Sequence, residues 1–346
     1  MSVVTSGATS QTAAFAPARA RVLPSWNHGP ARSAILDFVA AVTAEGSDDF
    51  VPPAERIAVF DNDGTLWCEQ PLQVQVQFTL DRAATLARAD PGLAERQPFK
   101  AFLDHDLEAI RALGKKGIFE FAFAIHAGMS VEGFQAIVRH WLARAVHPVL
   151  KRRYTDIVYD PQLELLAYLR AHDFRTYIVS GGGIDFMRAF AESVYGIPPE
   201  QVIGSSVRTR FEIVGERNQL TKLADLDSFD DRGAKVENIW LHIGRRPILA
   251  FGNSDGDEAM MRYTLAGTGR RLALLLHHDD GERETAYDRD FRLSPLNDAL
   301  DHAGDLGFQV VSVRNDWARV FPGVPADTFS LSSARIPLSS AHVQGA

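Results

Sequence analysis

Two aspartates two residues apart, Asp61 and Asp63, follow a short apolar run at residues 57–60. An unbroken apolar run of this length is typical of a strand that is buried on both faces, as in a parallel sheet. Gly64 then indicates a bend in the backbone. The two carboxylates therefore stand at the carboxyl end of a predicted strand, which is where open α/β sheets bind ligands.

These two carboxylates can point to the same side of an extended segment, where they would repel each other. Either a proton on one of them or a bound cation would relieve the repulsion. Mg²⁺ suits the second case because it prefers hard oxygen ligands and keeps waters that a phosphate can displace. An ordinary turn rich in Asp and Gly is the alternative interpretation.

A second apolar run, at residues 176–179, ends in Ser180 and three glycines. In a parallel sheet the carboxyl ends of the strands share one edge, so Ser180 is expected near the two aspartates. Its hydroxyl and the backbone N–H groups of Gly181 and Gly182 suit the oxygens of a phosphoryl group. A tight turn would explain the same glycines.

A third apolar run, at residues 247–252, is followed by the acidic segment 253–257, and Lys235 opens the helix predicted before it. A lysine at a helix start is unfavourable against the helix dipole. Lys235 is therefore either a solvated surface lysine or a cation that pairs with the Asp61 carboxylate and a transferring phosphate. Lys222 is the second candidate for that cation.

Four features of the sequence resemble, in the same order, the four motifs of the haloacid dehalogenase-like (HAD) superfamily of phosphotransferases. These features are the Asp-x-Asp-Gly-Thr segment, Ser180, Lys235 and the acidic segment. The resemblance implies that Asp61 is the nucleophile and Asp63 the general acid/base. It also implies that Ser180 holds phosphate and that Lys235 is a catalytic cation.

The acidic segment departs from the family pattern, which is commonly Gly-Asp-x-x-x-Asp. Asn253 stands in the place of the first Asp, and Asp257 in the place of the last. An Asn still offers a carbonyl oxygen, but it removes one negative charge from a metal site. The expected Mg²⁺ ligands are therefore Asp61, Asp63, Asn253 and Asp257, with Asp255 as an alternative.

The resemblance implies a Mg²⁺-dependent phosphatase that hydrolyses a small phosphomonoester through an aspartyl-phosphate on Asp61. Dehalogenases of the same superfamily resemble this chain in the first Asp but lack an acid two residues later. Asp63 favours phosphoryl chemistry, because a leaving alkoxide needs a proton and a halide does not. The alternative, motivated by Asn253, is a catalytically weakened or non-catalytic protein that binds a phosphate ligand or a partner on the same fold.

The predicted elements that position these residues form an α/β fold, a Rossmann-like parallel sheet core with an inserted all-helical cap. We assign residues 26–70 and 150–322 to the core and residues 71–149 to the cap. An insert of this length exceeds what a βαβ crossover needs and could act as a lid that excludes water, although an extra helical layer without gating is the alternative. The position of this insert, between the first and second motifs, most resembles the arrangement in the phosphoserine-phosphatase-like branch of the HAD superfamily.

Two local predictions concern the outer elements. Residues 99–113 have the pattern of one helix, and residues 202–206 and 211–214 have that of the two strands of a hairpin. Five residues in the insert or just before it are candidates for substrate specificity: Glu69, Arg111, Lys115, Lys116 and His126. They are equally well explained as solvated surface residues. The segment 277–280, His-His-Asp-Asp, could hold a second metal, but a turn at a strand end is favoured.

Composition excludes several classes of function. The 346 residues are 46% hydrophobic and 23% charged, which is typical of a globular protein, and the net charge of −8 argues against nucleic acid or an anionic membrane as partner. The sequence has no run of about 20 apolar residues, so no membrane span is predicted. Cys68 is the single cysteine, so an intrachain disulfide is excluded and a cytoplasmic location is expected.

Both ends of the chain are predicted to be tails. Residues 1–25 are rich in Ala, Ser, Thr and Pro, a composition typical of disorder, and lack the pattern of a secretory signal. Residues 323–346 are assigned to a C-terminal tail.

Overall fold

A mostly parallel sheet carries the predicted strand ends. The computed structural model describes residues 22–104 and 106–323. Within them the sheet has the spatial order β4-β3-β2-β1-β5-β6-β7, and only β3 and β4 are antiparallel neighbours. The strands are β1 (Ile57–Phe60), β2 (Arg175–Gly183), β3 (Val202–Val214), β4 (Arg217–Ser228), β5 (Leu249–Gly252), β6 (Leu272–His277) and β7 (Gln309–Ser312).

Helices cover both faces of this sheet, which confirms the predicted α/β fold. The helices of the described residues are α1 (Pro30–Thr43), α2 (Val74–Ala89), α3 (Phe99–Leu103), α4 (Leu107–Ala112), α5 (Gly114–Ala124), α6 (Val131–Leu142), α7 (Asp160–Ala171), α8 (Ile184–Arg188), α9 (Ala191–Tyr195), α10 (Gly233–Ile243), α11 (Glu258–Leu265), α12 (Asp298–Asp301), α13 (Ala303–Leu306) and α14 (Val313–Asp316). None of them is long and apolar enough to cross a membrane.

Strand β1 is central because both of its faces are buried. Ile57 and Val59 pack into the apolar cluster on one side of the sheet, whereas Ala58 and Phe60 pack into the cluster on the other side. The unbroken apolar run is therefore explained by alternation between two cores. β1 pairs with β2 on one side and with β5 on the other, so the residues after these three strands meet at one edge.

The insert between β1 and β2 is helical from α2 to α6, with an apolar cluster of its own that includes Val76, Phe102 and Phe121. The predicted single helix over residues 99–113 is wrong, because α3 ends at Leu103 and α4 begins at Leu107. The segment between α5 and α6 contacts strand β4, because Gly128 N donates to Lys222 O at 2.8 Å. That this insert is a movable cap stays a prediction, as do the limits proposed between the core and the insert.

The predicted hairpin within residues 202–214 is also wrong, because β3 is one continuous strand. Its first part pairs parallel with β2, and its second part pairs antiparallel with β4. The hairpin turn follows Val214, where Gly215 has a φ of +65°. Residues 207–210 continue the strand: Val207 is buried against Phe119 and Phe123, whereas residues 208–210 are exposed and carry polar side chains.

The predicted end of the N-terminal tail at residue 25 is too late, because Leu23 and Ser25 are buried. The Ser25 hydroxyl donates to Glu164 Oε1 at 2.7 Å, and the indole of Trp26 donates to Pro161 O at 2.9 Å. Trp26 also packs edge-on against Trp317, with ring centroids 6.2 Å apart. The rest of this predicted tail, residues 1–21, and residues 324–346 lie outside the described residues.

We predict that Trp26→Ala lowers the free energy of unfolding by about 3–5 kcal/mol, because it removes a buried ring and its hydrogen bond. Trp240→Ala is the matched control, since Trp240 is 63% exposed. Chemical denaturation of both variants provides the measurement. Equal losses in the two variants would contradict the anchoring role of Trp26.

Candidate active site

The ends of β1, β2 and β5 bring most of the predicted site residues into one narrow polar cavity. The pairing that aligns them continues beyond the strand, since Asp61 N donates to Phe251 O at 2.9 Å. The cavity is lined by Asp61, Asp63, Ser180, Gly181, Gly182 and Lys235, together with Gln73, Lys115, Phe119, Asp231, Ser254 and Ser294. Five residues predicted from strand-end positions thus meet in space with Lys235, which was predicted from the start of a helix.

Lys235 occupies the centre of this arrangement. Its side chain is only 2% exposed, which excludes the interpretation as a surface lysine. Its ammonium donates to Asp61 Oδ1 at 2.8 Å, to Asp257 Oδ1 at 2.6 Å and to Val179 O at 2.9 Å. All three N–H groups therefore have acceptors. The second candidate, Lys222, pairs with Asp185 in a different pocket.

The positive charge of this one ammonium does not fully compensate the negative charge of the carboxylates around it. Burial, with a contribution from the Asp257 charge, raises the pKa of Asp61 to about 7 in spite of Lys235. Burial also raises the pKa of Asp63, against a lowering effect of the Trp67 indole, which donates to Asp63 Oδ1 at 2.7 Å. The Lys235 pKa is raised because Asp257 and Asp61 outweigh the effect of burial. The site therefore favours an additional cation or a proton on a carboxyl.

The four predicted metal ligands are not assembled as a group. Thr65 Oγ1 donates to Asn253 Oδ1 at 3.1 Å, and Asn253 Nδ2 donates to Glu69 Oε1 at 3.1 Å, so both ends of the amide are engaged. Asp257 uses Oδ1 for Lys235 and Oδ2 for the backbone N–H groups of Asn253 and Ser254.

The alternative ligand, Asp255, is also engaged elsewhere, because its Oδ1 accepts from the backbone N–H groups of Asn297 and Ala299. Among residues 22–104 and 106–323, no group of three or more His, Cys, Asp or Glu residues is arranged to hold a metal ion. Of the four predicted ligands, Asp61 and Asp63 line the cavity. That the four residues hold a metal ion stays a prediction.

Glu69 is the main residue whose place the sequence did not reveal. It is completely buried behind Gly64 and accepts hydrogen bonds from Asn253 Nδ2 and from Tyr287 Oη at 2.9 Å. Burial raises its pKa well above the usual range. Gly64 is required here, since its φ is +78° and a Cβ would lie 2.1 Å from Asn253 Nδ2.

The helical insert contributes Lys115 to the cavity. Lys115 Nζ donates to Asp231 Oδ1 at 2.9 Å and lies 3.6 Å from the position that a Cβ on Gly181 would occupy. Among the other specificity candidates, Lys116 is exposed and pairs with Glu120, whereas His126 is buried against Phe78. The side chain of Arg111 lies outside the described residues.

The segment 277–280 has the favoured structure of a turn at a strand end. His278 Nε2 donates to Gly64 O at 2.7 Å, and its other ring nitrogen lies 3.0 Å from Glu284 Oε2. Asp279 accepts from the backbone of Arg314, and Asp280 accepts from the Arg283 side chain. His278 therefore supports the bend after β1.

We predict that Lys235→Met destabilises the protein by about 3–5 kcal/mol, because two buried carboxylates lose their common partner. Lys116→Met, at an exposed position of α5, should leave stability nearly unchanged. Thermal and denaturant unfolding of both variants test this. A Lys235→Met variant as stable as the parent chain would contradict the importance of the buried pair.

Comparisons with known proteins agree with this organisation. A family model described as haloacid dehalogenase-like hydrolase matches residues 58–262, which contain the strand ends and Lys235. No curated protein matches the chain.

Similar solved structures include a conserved protein of unknown function from Anaerococcus prevotii, with 17% identity, a TM-score of 0.49, and coverage of 72% of this chain and 85% of that one. A protein of unknown function from Bordetella pertussis has 17% identity and a TM-score of 0.48, over 74% of this chain and 98% of that one. A phosphoserine phosphohydrolase-like protein from Francisella tularensis has 16% identity and a TM-score of 0.39, over 72% and 99%. The family model spans more than half of the sequence, and the chain therefore belongs to the haloacid dehalogenase-like hydrolases.

Proposed function

We propose that this protein is a Mg²⁺-dependent phosphatase that hydrolyses a small phosphomonoester through an aspartyl-phosphate on Asp61. The observation that carries the proposal is the pair of Asp61 and Lys235. Lys235 holds Asp61 Oδ1, whereas Asp61 Oδ2 has no hydrogen-bond partner among the described residues and belongs to a side chain that lines the cavity. A carboxylate fixed by one oxygen presents the other as an oriented nucleophile.

Two carboxyl groups of the cavity, Asp61 and Asp63, would carry the steps of the reaction. Asp61 Oδ2 attacks phosphorus, and the bond from phosphorus to the leaving oxygen breaks while protonated Asp63 gives its proton to that oxygen. Ionised Asp63 then takes a proton from a water, which attacks phosphorus and releases inorganic phosphate from Asp61. The raised pKa of Asp63, caused by burial, supports its role as the acid.

Positive and polar groups surround the place of the phosphoryl oxygens. Ser180, Gly181, Gly182 and Lys235 line the same cavity as Asp61. Ser180 offers a hydroxyl, and Lys235, whose three N–H groups already have acceptors, contributes its positive charge. Such donors stabilise the charge that develops on a transferring phosphoryl group.

The buried carboxylates fit a hard divalent cation, because they carry more negative charge than Lys235 neutralises. The carboxylate of Asp61 and the main-chain carbonyl of Asp63 would hold Mg²⁺. When bound, Mg²⁺ supplies further positive charge for the phosphoryl oxygens.

Lys115 and Phe119 support the interpretation of residues 71–149 as a cap, since both reach from α5 into the cavity. The non-catalytic alternative was motivated by Asn253, but the contact of Asn253 with Glu69 gives this residue a structural reason. A reducing compartment, the cytoplasm, fits a chain whose single cysteine is a buried free thiol.

We predict that Asp61→Asn abolishes release of phosphate from small phosphomonoesters, since an amide cannot act as the nucleophile. The measurement is phosphate release with and without Mg²⁺, with chelator as a further control. Asp305→Asn, at an exposed position, is the matched variant that should retain activity. Turnover by Asp61→Asn at the parent rate would rule out the proposed intermediate.

We also predict that Lys115→Met raises KM about 10-fold or more, because the cavity loses a cation that faces the phosphate position. Lys116→Met, which alters the neighbouring exposed lysine, should have the KM of the parent enzyme. Steady-state kinetics on one ester provide both values. Identical KM values for the two variants would show that Lys115 does not contact the substrate.

A further inference from the structure

A groove lies between α2 and α6 of the helical insert. Its volume is about 490 Å³, which is within the range of small-molecule sites. One face of each helix forms its walls, because the lining positions recur at helical spacing. They are 78, 81, 82 and 85 in α2, and 137, 140, 141, 144 and 145 in α6 and the turn after it. These residues are different from those that line the catalytic cavity.

Two aromatic rings provide the apolar part of the groove. Phe78 and Trp141 meet edge to face, with ring centroids 5.4 Å apart. The Trp141 ring also stacks on Tyr154 at 5.2 Å, and its indole N–H donates to Asp81 Oδ2 at 2.8 Å. Trp141 is nevertheless only half-buried, so part of the indole faces the groove. A flat apolar ring can pack against this fixed indole.

Arg82 is the unusual residue of this groove. It is half-buried, yet no hydrogen bond or ion pair joins it to another residue within 22–104 and 106–323, and its Nε is enclosed without an acceptor. Every other lysine or arginine whose side chain the structure describes as buried or half-buried has such a partner. A guanidinium that is partly withdrawn from water without a counter-charge is costly, and an anion in the groove would compensate it.

The charges around the groove fit a monoanion. Arg144, on the opposite wall, also has no ion-pair partner among the described residues. Asp81 is the one carboxylate among the lining residues, and it already accepts hydrogen bonds from Trp141 and from the Gln77 amide. Apart from the His140 imidazole, two guanidinium groups and one carboxylate leave one positive charge in excess. Guanidinium groups bind carboxylates especially well, because their planar donor pairs match the two oxygens.

We propose that the α2–α6 groove is a binding site for a small aromatic carboxylate. The carboxylate lies between Arg82 and Arg144, and the ring packs on Trp141 and Phe78. The excess of one positive charge selects the monoanion, and the aromatic rings select a flat apolar body. This site is separate from Asp61 and Lys235, and its ligand is therefore a molecule other than the phosphatase substrate.

The test is isothermal titration calorimetry of the full chain with 2-naphthoate and with 2-naphthamide, which has the same ring and shape without the charge. We expect a Kd below about 1 mM for 2-naphthoate, and binding of the amide that is weaker by about 10-fold or more. Cyclohexanecarboxylate keeps the charge but lacks the flat aromatic ring, and it should bind about 5-fold more weakly than 2-naphthoate.

Two variants locate the ligand in the groove. Arg82→Met keeps the apolar stem but removes the cation, so the affinity for 2-naphthoate should fall about 10-fold or more and approach that for the amide. Thr85→Phe, at an exposed position of the wall, puts a ring into the groove and should weaken binding of both probes. Arg88→Met, at an exposed position of α2 outside the groove, is the matched control and should keep the parent Kd.

The folding of each variant is reported by its thermal midpoint, which 2-naphthoate should raise in the parent chain and in Arg88→Met but not in Arg82→Met. Lys115→Met, which alters the catalytic cavity, should bind 2-naphthoate as the parent chain does. An equal loss of affinity in Lys115→Met and Arg82→Met would place the ligand in the catalytic cavity and overturn the proposal.

Three further results would also overturn it: no saturable binding of 2-naphthoate up to about 10 mM, equal Kd values for the acid and the amide, or an unchanged Kd in folded Arg82→Met. None of these measurements requires turnover. A failure here therefore leaves the phosphatase function standing, and a failure of the phosphatase function leaves this site standing.

Discussion

The buried ammonium of Lys235 is the interaction on which the site depends. It connects three strands through its hydrogen bonds. Its acceptors are Asp61 after β1, Asp257 after β5 and the Val179 carbonyl within β2. A buried ion group of this kind adds little stability over an apolar replacement, but removal of one member is costly because the others stay buried and charged. Burial of Lys235 therefore contributes orientation rather than stability. The ammonium fixes Asp61 Oδ1 and leaves Oδ2 available.

The same reasoning explains why Asn stands at position 253. The fully buried carboxyl group of Glu69 lies 3.1 Å from the Asn253 amide nitrogen. An Asp at this position would bring two buried carboxyl groups into contact, which is tolerated only when they share a proton. The amide instead donates to Glu69 and accepts from Thr65, so it connects the end of β5 to the bend after β1. The departure from the family pattern therefore reflects packing around Gly64.

The sequence predicted the parts of the molecule that local patterns determine. β1, β2 and β5 are buried on both faces, so the sequence showed their apolar runs and the polar residues at their carboxyl ends, which include Asp61, Ser180 and Asp257. Lys235 was visible near the start of the helix before β5. The burial of a charged side chain depends on distant partners instead. Glu69 meets Tyr287 across 218 positions, and Lys115 meets Asp231 across 116. No local pattern indicates either contact, and for the same reason the engagement of Asn253 and the course of β3 were missed.

The chain has a net charge of −8, yet its site is proposed to bind an anion, and two lysines show how this conflict is resolved. Lys222 and its partner Asp185 have side chains that are 3% and 12% exposed, so their separation would leave charges in an apolar wall. Lys115 and Asp231 are 23% and 18% exposed, so water can solvate Asp231 when Lys115 turns to another anion. Lys222 is thus held by a buried partner, whereas Lys115 has a partner that water reaches. Under the proposed function, a phosphate near Gly181 would compete with Asp231 for Lys115, the lysine that the insert contributes to the cavity.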